Sequence, residues 1–460
     1  MTDREADRIH SDPYLVPSGK IARGSARVPP SKSVAHRALI LAALADGDSR
    51  IGPLPGGDDV AATVECLRAC GVNIGEQGAG SREQRAGSGE QGAESREQGT
   101  GDRGPKQETV VVSGTSGRLT PPRSPLNCRA SGTTLRLLMG IAAAQPGAAF
   151  TLDGEPQLRR RPVSDLEAPL DALGAHLRYA EQTGFPPVVV GGARWKGGIV
   201  DVPGTVSSQF LSGLLLAAPL AEGPMEFRSR SLVSAPYVEM TAAVMARFGV
   251  SVTRPDPDVW RVEPTSYHQA DVTVEPDASA AAFLWAAAAV TGGSVAVEGV
   301  TPDMLQGDGV FPDLMERFGC VVEGDPGGTT VSGFPVRGIE AHVAGTPDLV
   351  PALVAVAAFA PTPSTFTGVA HLRHKESDRL AVLVDALSRL GGMGLLEDDR
   401  ITIVPTTEYT GAELDPRGDH RMAMALAVLG LRIPGTRITQ PSCVNKSFPN
   451  FFDALERLLS

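Results

Sequence analysis

The residues of this chain that could do chemistry stand in short runs of cations, carboxylates and hydroxyls, each placed where a helix would begin. In Pro30-Ser31-Lys32-Ser33-Val34-Ala35-His36-Arg37, a helix opening at 31–33 carries Lys32 past its N-terminus and Arg37 about one turn on. Serine hydroxyls and free amides add neutral donors. Such a set grips a phosphate or a carboxylate, or else it is an N-cap with two solvated bases. Arg373-His374-Lys375-Glu376-Ser377-Asp378-Arg379-Leu380 is the densest charge cluster outside one low-complexity segment. Read as helix, it puts Lys375 and Arg379 on one face at i and i+4 with Glu376 beside them, either to address one ligand or to lace a solvated surface. Asp348 opens an almost wholly apolar helix over 349–360, as an N-cap or as a general base held at a cleft. Asp419-His420-Arg421 and Lys446, in Asn445-Lys446-Ser447-Phe448-Pro449-Asn450, repeat the arrangement, and Arg159-Arg160-Arg161-Pro162 adds three bases before a helix. Many cations with few histidines or cysteines point to a pocket for a small polyanion, worked by carboxylates and lysines. No Gly-rich dinucleotide fingerprint stands between a strand pattern and a helix, and there is no P-loop lysine motif or Gly-x-Ser-x-Gly elbow.

The elements that must position these residues recur. A small-polar turn opening an apolar helix occurs six times, at Pro30 to Ser33, Ser131 to Thr134, Ser207 to Gln209, Asp277 to Ala280, Thr346 to Asp348 and Gly418 to Arg421. A second helix follows each after roughly 28 residues, and the unit is about 70 residues long. Residues 76–108 break the period with a run of Gly, Glu, Gln, Ser and Arg, read as a solvated, disordered insertion whose removal restores it. Strand patterns precede each first helix (Ile199 to Pro203, Val272 to Glu275, Ile339 to Val343) and follow each second one (Gly249 to Val252, Gly319 to Val322), often with a return strand such as Trp260 to Val262. Each unit is therefore expected to be β-α-β-α-β-β. Six units divide three and three into two similar α/β lobes with a cleft between them. Residues 29–268 form one lobe, and residues 1–28 with 269–460 the other, completed by the N-terminal strand. Clustered helix N-termini make an anion site, because each presents unpaired N–H groups and a partial positive charge.

Composition narrows the field. At 460 residues, 42% hydrophobic and 21% charged, the chain has the profile of a globular protein of about two domains. A formal charge of −11 argues against a general nucleic-acid binder. Cys66, Cys70, Cys128, Cys320 and Cys443 lack metal-ligand spacing, and Cys66 and Cys70 read as core packing in a reduced, cytoplasmic protein. Residues 1–12 carry no apolar leader segment, and runs such as Ala280 to Val290 fall short of a membrane span.

Five motifs in order are similar to those of the 5-enolpyruvylshikimate-3-phosphate synthase family. They are Pro30-Ser31-Lys32-Ser33 with Arg37, Val206-Ser207-Ser208-Gln209-Phe210, Lys375 to Leu380, Asp419-His420-Arg421-Met422-Ala423-Met424 and Lys446-Ser447-Phe448-Pro449. The resemblance spans residues 14–460 without the insertion. It implies two lobes of three βαβαββ units each, of the inside-out α/β barrel type. It also implies enolpyruvyl transfer from phosphoenolpyruvate to the 5-hydroxyl of shikimate 3-phosphate through a tetrahedral intermediate, by a monomer that uses no cofactor, metal, nucleic acid or membrane. Lys32, Ser33, Arg37, Ser207, Ser208, Gln209, Ser234, Tyr237, Asp348, His371 and Lys375 would hold shikimate 3-phosphate. Lys32, Gly132, Arg161, Gln209, Arg379, Arg421 and Lys446 would hold phosphoenolpyruvate. Asp348 would take the hydroxyl proton, and Glu376 with Lys32 or Lys446 would move protons at the methylene carbon. Ala130 and His371 stand where members of the family commonly carry asparagine. Other readings are the sister transferase acting on UDP-N-acetylglucosamine, which usually places a reactive cysteine on a mobile loop, and a non-catalytic repeat module.

Overall fold

The computed structural model describes residues 12–76 and 108–460. The expectations placed on the N-terminal segment and on the low-complexity insertion therefore lie, over 1–11 and 77–107, outside the described residues. Twelve α-helices are described, two to a repeat. In chain order they are α1 (Lys32–Leu44) and α2 (Asp58–Ala69), α3 (Gly132–Ala143) and α4 (Glu167–Ala172), α5 (Gln209–Ala217) and α6 (Ala235–Arg247), α7 (Ala278–Thr291) and α8 (Phe311–Phe318), α9 (Val350–Ala357) and α10 (Arg379–Arg389), and α11 (His420–Gly430) and α12 (Phe451–Leu458).

The two helices of a repeat differ because their sequences do. The first is apolar all round, and a helix with no polar face belongs in the middle of a core. Every residue of α7, α9 and α11 is buried, and these three helices pack on one another. Helix α3 packs against α1 and α5. At the α3–α5 crossing Gly140 meets Gly213 so closely that a side chain at 140 would run into the facing backbone. The second helix is amphipathic. Helix α12, for instance, buries Phe451, Phe452, Leu455 and Leu458 and turns Arg457 outward.

Five four-stranded sheets and one of three strands flank the helices. In the pattern unit Gly198–Asp201 runs parallel to Met225–Arg228, which pairs antiparallel with Val259–Val262, itself paired with Val252–Asp256. This is the expected βαβαββ order. Two lead strands are exchanged. Arg23–Ala26 runs parallel to Ser294–Glu298 of the fourth repeat, while Val272–Thr273 runs parallel to Asp48–Gly52 of the first. In the three-stranded sheet of the sixth repeat, Tyr14–Leu15 pairs antiparallel with Arg437–Ile438. Buried apolar residues form two clusters, one from Val34 to Val274 and one joining Tyr14, Val16, Ala22 and Val28 to Ala278 through Leu459. Cys66, Cys70 and Cys128 lie inside the first, where burial and then Cys66 push the Cys70 thiol up to about 12. Among the described residues no helix is long and apolar enough to cross a membrane.

Two local expectations change. Lys375 and Arg379 do not share a helical face: Ala370–His374 is a 3-10 turn, the chain is extended at Lys375, and α10 begins only at Arg379 with Asp378 as its N-cap. The side chain of a capping aspartate competes with helix, which sets the break there. Lys446 ends a 3-10 turn (Pro441–Lys446) rather than opening a helix, and Asp348 lies in the 3-10 turn Pro347–Leu349 ahead of α9.

Candidate active site

The caps of the first helices aim their N-termini at one cleft. Ser31 accepts from Val34 N (3.4 Å), Ser131 from Thr134 N (3.2 Å) and Asp419 from Arg421 N (3.0 Å), which fixes Lys32, Gly132 and Arg421 at the first or second helical positions. The cleft is lined by Lys32, Ser33, Arg37, Thr133, Arg136, Arg161, Val206, Ser207, Ser208, Gln209, Ser234, Tyr237, Asp348, His374, Lys375, Glu376 and Arg421. Its free volume is only about 50 Å³, room for a few waters. A larger cavity of about 320 Å³ lies at the exchanged strands, lined by Arg27, Val28, Pro53 and Val274 among others, and shares no lining residue with the cleft.

Charges in the cleft are paired, mostly within one half, with Lys446–Asp59 and Arg161–Glu376 crossing between the two clusters. Arg379, 1% exposed, is clamped by three carboxylates at 2.8 Å each: Nε on Asp419 Oδ2, NH1 on Asp348 Oδ1 and NH2 on Glu376 Oε2. Arg421 NH2 holds the other oxygen of Asp348 (2.9 Å). Lys32 Nζ pairs with Asp59 Oδ2 (2.9 Å); Lys446 Nζ lies 3.8 Å from Asp59 Oδ1 and 3.9 Å from Glu376 Oε1, and donates to the carbonyl of Ala130 (3.0 Å). Arg161 NH1 is 3.6 Å from Glu376 Oε1. Burial alone would push the Asp348 carboxyl up, but Arg421, Arg379 and Lys375 outweigh it and hold the group far below the usual carboxylate range. Glu376 is likewise held well below its ordinary value, by Arg161, Arg379 and Lys446 against burial. Among the described residues Lys375 has no hydrogen-bond or ion-pair partner, and burial brings its ammonium down to about 8.

The residues singled out from sequence fall into three groups. Lys32, Ser33, Ser207, Ser208, Gln209, Ser234, Tyr237, Asp348, Lys375, Glu376, Arg161 and Arg421 line the cleft. Ser234 does so from a left-handed conformation (φ 57°), a strain that nonglycine residues keep mainly where function or packing over-determines it. Arg379 and Lys446 stand just behind, and Gly132 carries no side chain because a Cβ there would run into the Arg161 guanidinium. Arg37 reaches the cleft but is already spent: Nε donates to Thr241 Oγ1 (2.7 Å), NH1 to Ser33 O (2.8 Å) and NH2 to Tyr237 O (3.1 Å). His371 is buried, does not line the cleft, and stays neutral with its value brought to about 3 by burial and Lys375; His374 lines the cleft instead. Arg159 and Arg160 turn away, Arg159 pairing with Asp153 (2.6 Å) and Glu181 (3.0 Å).

Sequence reasoning missed Asp59, Arg136 and Asp308. Arg136 donates to Gln209 Oε1 (3.0 Å) and the Pro162 carbonyl (3.1 Å) and stacks over Phe210. Its signal was available, since a lone arginine within Leu135 to Met139 must find partners once buried. Asp59 and Asp308 gave none, because their partners are set by long-range packing.

Comparison with known proteins agrees over the whole chain. A family model described as EPSP synthase (3-phosphoshikimate 1-carboxyvinyltransferase) matches residues 17–100 and 100–455. The 3-phosphoshikimate 1-carboxyvinyltransferase of Methanosphaerula palustris is 41% identical over 432 residues, covering 93% of this chain and 95% of that one. The protein of the same name from Rhizobium leguminosarum is 36% identical over 453 residues, covering 96% of each. Among solved structures, EPSP synthase from Acinetobacter baumannii superposes with a TM-score of 0.73 at 28% identity, covering 97% of this chain and 98% of that one. An enolpyruvyl transferase of Streptomyces tendae shares the fold (TM-score 0.72, 18% identity, 97% of each chain).

Proposed function

The chain belongs to the EPSP synthase (3-phosphoshikimate 1-carboxyvinyltransferase) family, and on that premise we propose how its cleft works. It is a transferase of the shikimate pathway, moving the enolpyruvyl group of phosphoenolpyruvate to the 5-hydroxyl of shikimate 3-phosphate with release of phosphate. The observation that carries our reading of the site is Asp348, an ionised carboxylate gripped by Arg379 and Arg421 and facing the uncommitted donors Lys375, Ser33 and Ser208.

Shikimate 3-phosphate is held by Lys32, Ser33, Ser207, Ser208, Gln209, Ser234, Tyr237 and Lys375, neutral donors and ammoniums suited to a phosphate and a ring of hydroxyls. Arg37 acts from behind by fixing Ser33 and Tyr237. Phosphoenolpyruvate is held by Lys32, Arg161, Arg379, Arg421 and Lys446, with Gly132 leaving the space. Its phosphate and carboxylate compete with Asp348 and Glu376 for the same guanidiniums. Binding therefore loosens the ion pairs that depress Asp348 and makes it a better proton acceptor for the attacking hydroxyl. The ammonium of Lys446 or Lys32 gives a proton to the methylene carbon, and the ionised Glu376 takes that proton up again on elimination and returns it to the lysine. A cleft of a few waters' volume must open to admit both substrates and close again, which excludes water from the intermediate. The lobes are read as residues 1–28 with the C-terminal half, and 29–268 extended to 274, since Val272–Thr273 pairs with Asp48–Gly52. The protein is read as a cytoplasmic monomer, in keeping with exposed apolar residues Ile199, Val321 and Met393 that sit on three separate sheets.

The test is phosphate release from phosphoenolpyruvate with shikimate 3-phosphate in one reaction and UDP-N-acetylglucosamine in another. Release only with the second overturns the reading, and release with neither favours a non-catalytic module. Asp348→Asn preserves the shape and spares the two arginines a cavity. It should lower kcat by about 10²- to 10⁴-fold with equilibrium binding of shikimate 3-phosphate nearly unchanged; full turnover would remove Asp348 from the role.

A further inference from the structure

Asp308 has no part in the site as described so far, yet it is tied to Asp348 through one hydroxyl. It sits in the 3-10 turn Gly307–Val310, 2% exposed, between glycines that let the turn lie close to neighbouring elements. Tyr237 OH lies 3.0 Å from Asp308 Oδ2 and 3.2 Å from Asp348 Oδ2. Ser279 Oγ also donates to Asp308 Oδ2, and Asp308 Oδ1 has no partner among the described residues. A phenol has one proton. Two ionised carboxylates cannot both accept it, so both contacts become hydrogen bonds only when the pair carries one added proton.

We propose that Asp308, Tyr237 and Asp348 form a proton relay in which Asp308 stores the proton released by the acceptor hydroxyl. As the hydroxyl oxygen bonds to the enolpyruvyl carbon, its O–H bond breaks and the proton passes to Asp348. Asp348 then donates to the Tyr237 oxygen while the Tyr237 proton moves to Asp308 Oδ2. Asp348 is left ionised, Tyr237 neutral and Asp308 protonated. When the phosphate leaves, the same path in reverse delivers that proton to it, so each turnover balances without an outside acid. This rests on the reading of Asp348 as the base, and it answers a difficulty in that reading, for a carboxylate held so low by two arginines is a poor resting place for a proton.

The surroundings sort the two carboxyls. Facing Asp308 are Asp348 from the turn before α9, Tyr237 from α6, Arg421 from α11 and the neutral Ser279 from α7, with Asp277 on the far side of Arg421. Burial and then the Asp348 charge raise Asp308 to about 6, against Ser279 and Arg421, whereas Asp348 stays far below. Tyr237 belongs to the N-terminal cluster's helix α6 and both aspartates to the other half, so the relay exists only while the cleft is closed.

The experiment is the pH profile of kcat at saturating substrates for the wild type, Asp308→Asn and Tyr237→Phe. The store must be empty to accept, so kcat of the wild type should fall as pH drops through about 6. Asp308→Asn should lower kcat about 10- to 100-fold at neutral pH, keep KM for shikimate 3-phosphate within about threefold, and flatten the acid limb. Tyr237→Phe keeps both carboxyls and should also flatten the limb, which leaves the idea testable if the Asn variant fails to fold. Substrate phosphates titrate in the same range. An acid limb identical in all three proteins, or an Asn variant with unchanged kcat, overturns the relay. A wild type silent with shikimate 3-phosphate sinks the parent reading instead.

Discussion

The two halves of this molecule are built from the same unit and do different work. From the N-terminal repeats the cleft receives Lys32, Arg37, Arg136 and Arg161 with the hydroxyls and amide of Ser33, Thr133, Ser207, Ser208 and Gln209, and acids near them are Asp59, bound to Lys32, and Asp165, beside Arg136. From the C-terminal repeats it receives the carboxylates Asp348 and Glu376 together with Lys375 and Arg421, backed by Asp308, Asp419, Arg379 and Lys446. One half is a cradle of cations and hydroxyls, and the other sets cations among poised proton carriers. They neutralise each other across the cleft through Lys446 with Asp59, Arg161 with Glu376 and Tyr237 with the aspartate pair. Helix dipoles, which all six copies share, thus give a general attraction for anions, and the side chains that differ between copies give the reaction. The fourth repeat shows this by default. Asp277 caps α7 through Ala280 N (2.9 Å) and also accepts from Lys32 N (3.2 Å), so its role is to bind two helix starts together near the exchanged strands.

That contrast can be broken from the acid side first. Arg379 holds three carboxylates in a buried site, and replacing it with leucine leaves Asp419 without its cation and Asp348 and Glu376 more weakly held. Such a change should cost about 3–5 kcal/mol of folding stability, read as a fall in the denaturant midpoint, and abolish turnover. A midpoint within error of the wild type would show the acids to be solvated and the contrast to be overstated. On the cradle side, Gly132→Ala pushes a methyl into the Arg161 guanidinium. The KM for phosphoenolpyruvate should rise by about tenfold with little change for shikimate 3-phosphate, since displacing a substrate-holding group by even 1 Å is costly; equal effects on both substrates would mean the cradle does not divide between them. The smallest effect belongs to the insertion. Asn73–Glu76 pairs antiparallel with Val110–Ser113 in the register Glu76 to Val110, so the ends of the intervening segment are neighbours. Replacing residues 78–107 with a four-residue turn should leave kcat within about twofold and stabilise the fold by about 1.4 kcal/mol through the shorter loop. A large loss of activity would give that segment a part in the cradle.

Much of this was legible in the chain. Both helices of every repeat were anticipated, because burial pattern and caps are local and survive any arrangement of neighbours. Arg23–Ala26 pairs with a strand of the fourth repeat and Val272–Thr273 with one of the first, and strands of two to four residues carry too little pattern to name such partners. The helix expected across Lys375 and Arg379 failed because Asp378 caps a new start there, a choice between two local hydrogen-bonding solutions that the fold decides.

What the sequence determined by itself was therefore the unit, its sixfold repetition and the short runs in which reactive side chains are anchored, each governed by hydrogen bonds and apolar contacts within a few turns of chain. Which cations are free and which are spent was decided only in three dimensions. Arg37 and Lys375 look equally available along the chain, yet one is wholly engaged and the other unpaired. Asp308 and Asp348 are both carboxyls beside apolar helices, yet burial raises one while two arginines lower the other. Coulomb energy depends on distance through space and on the water excluded along the way, and neither quantity is written in local sequence.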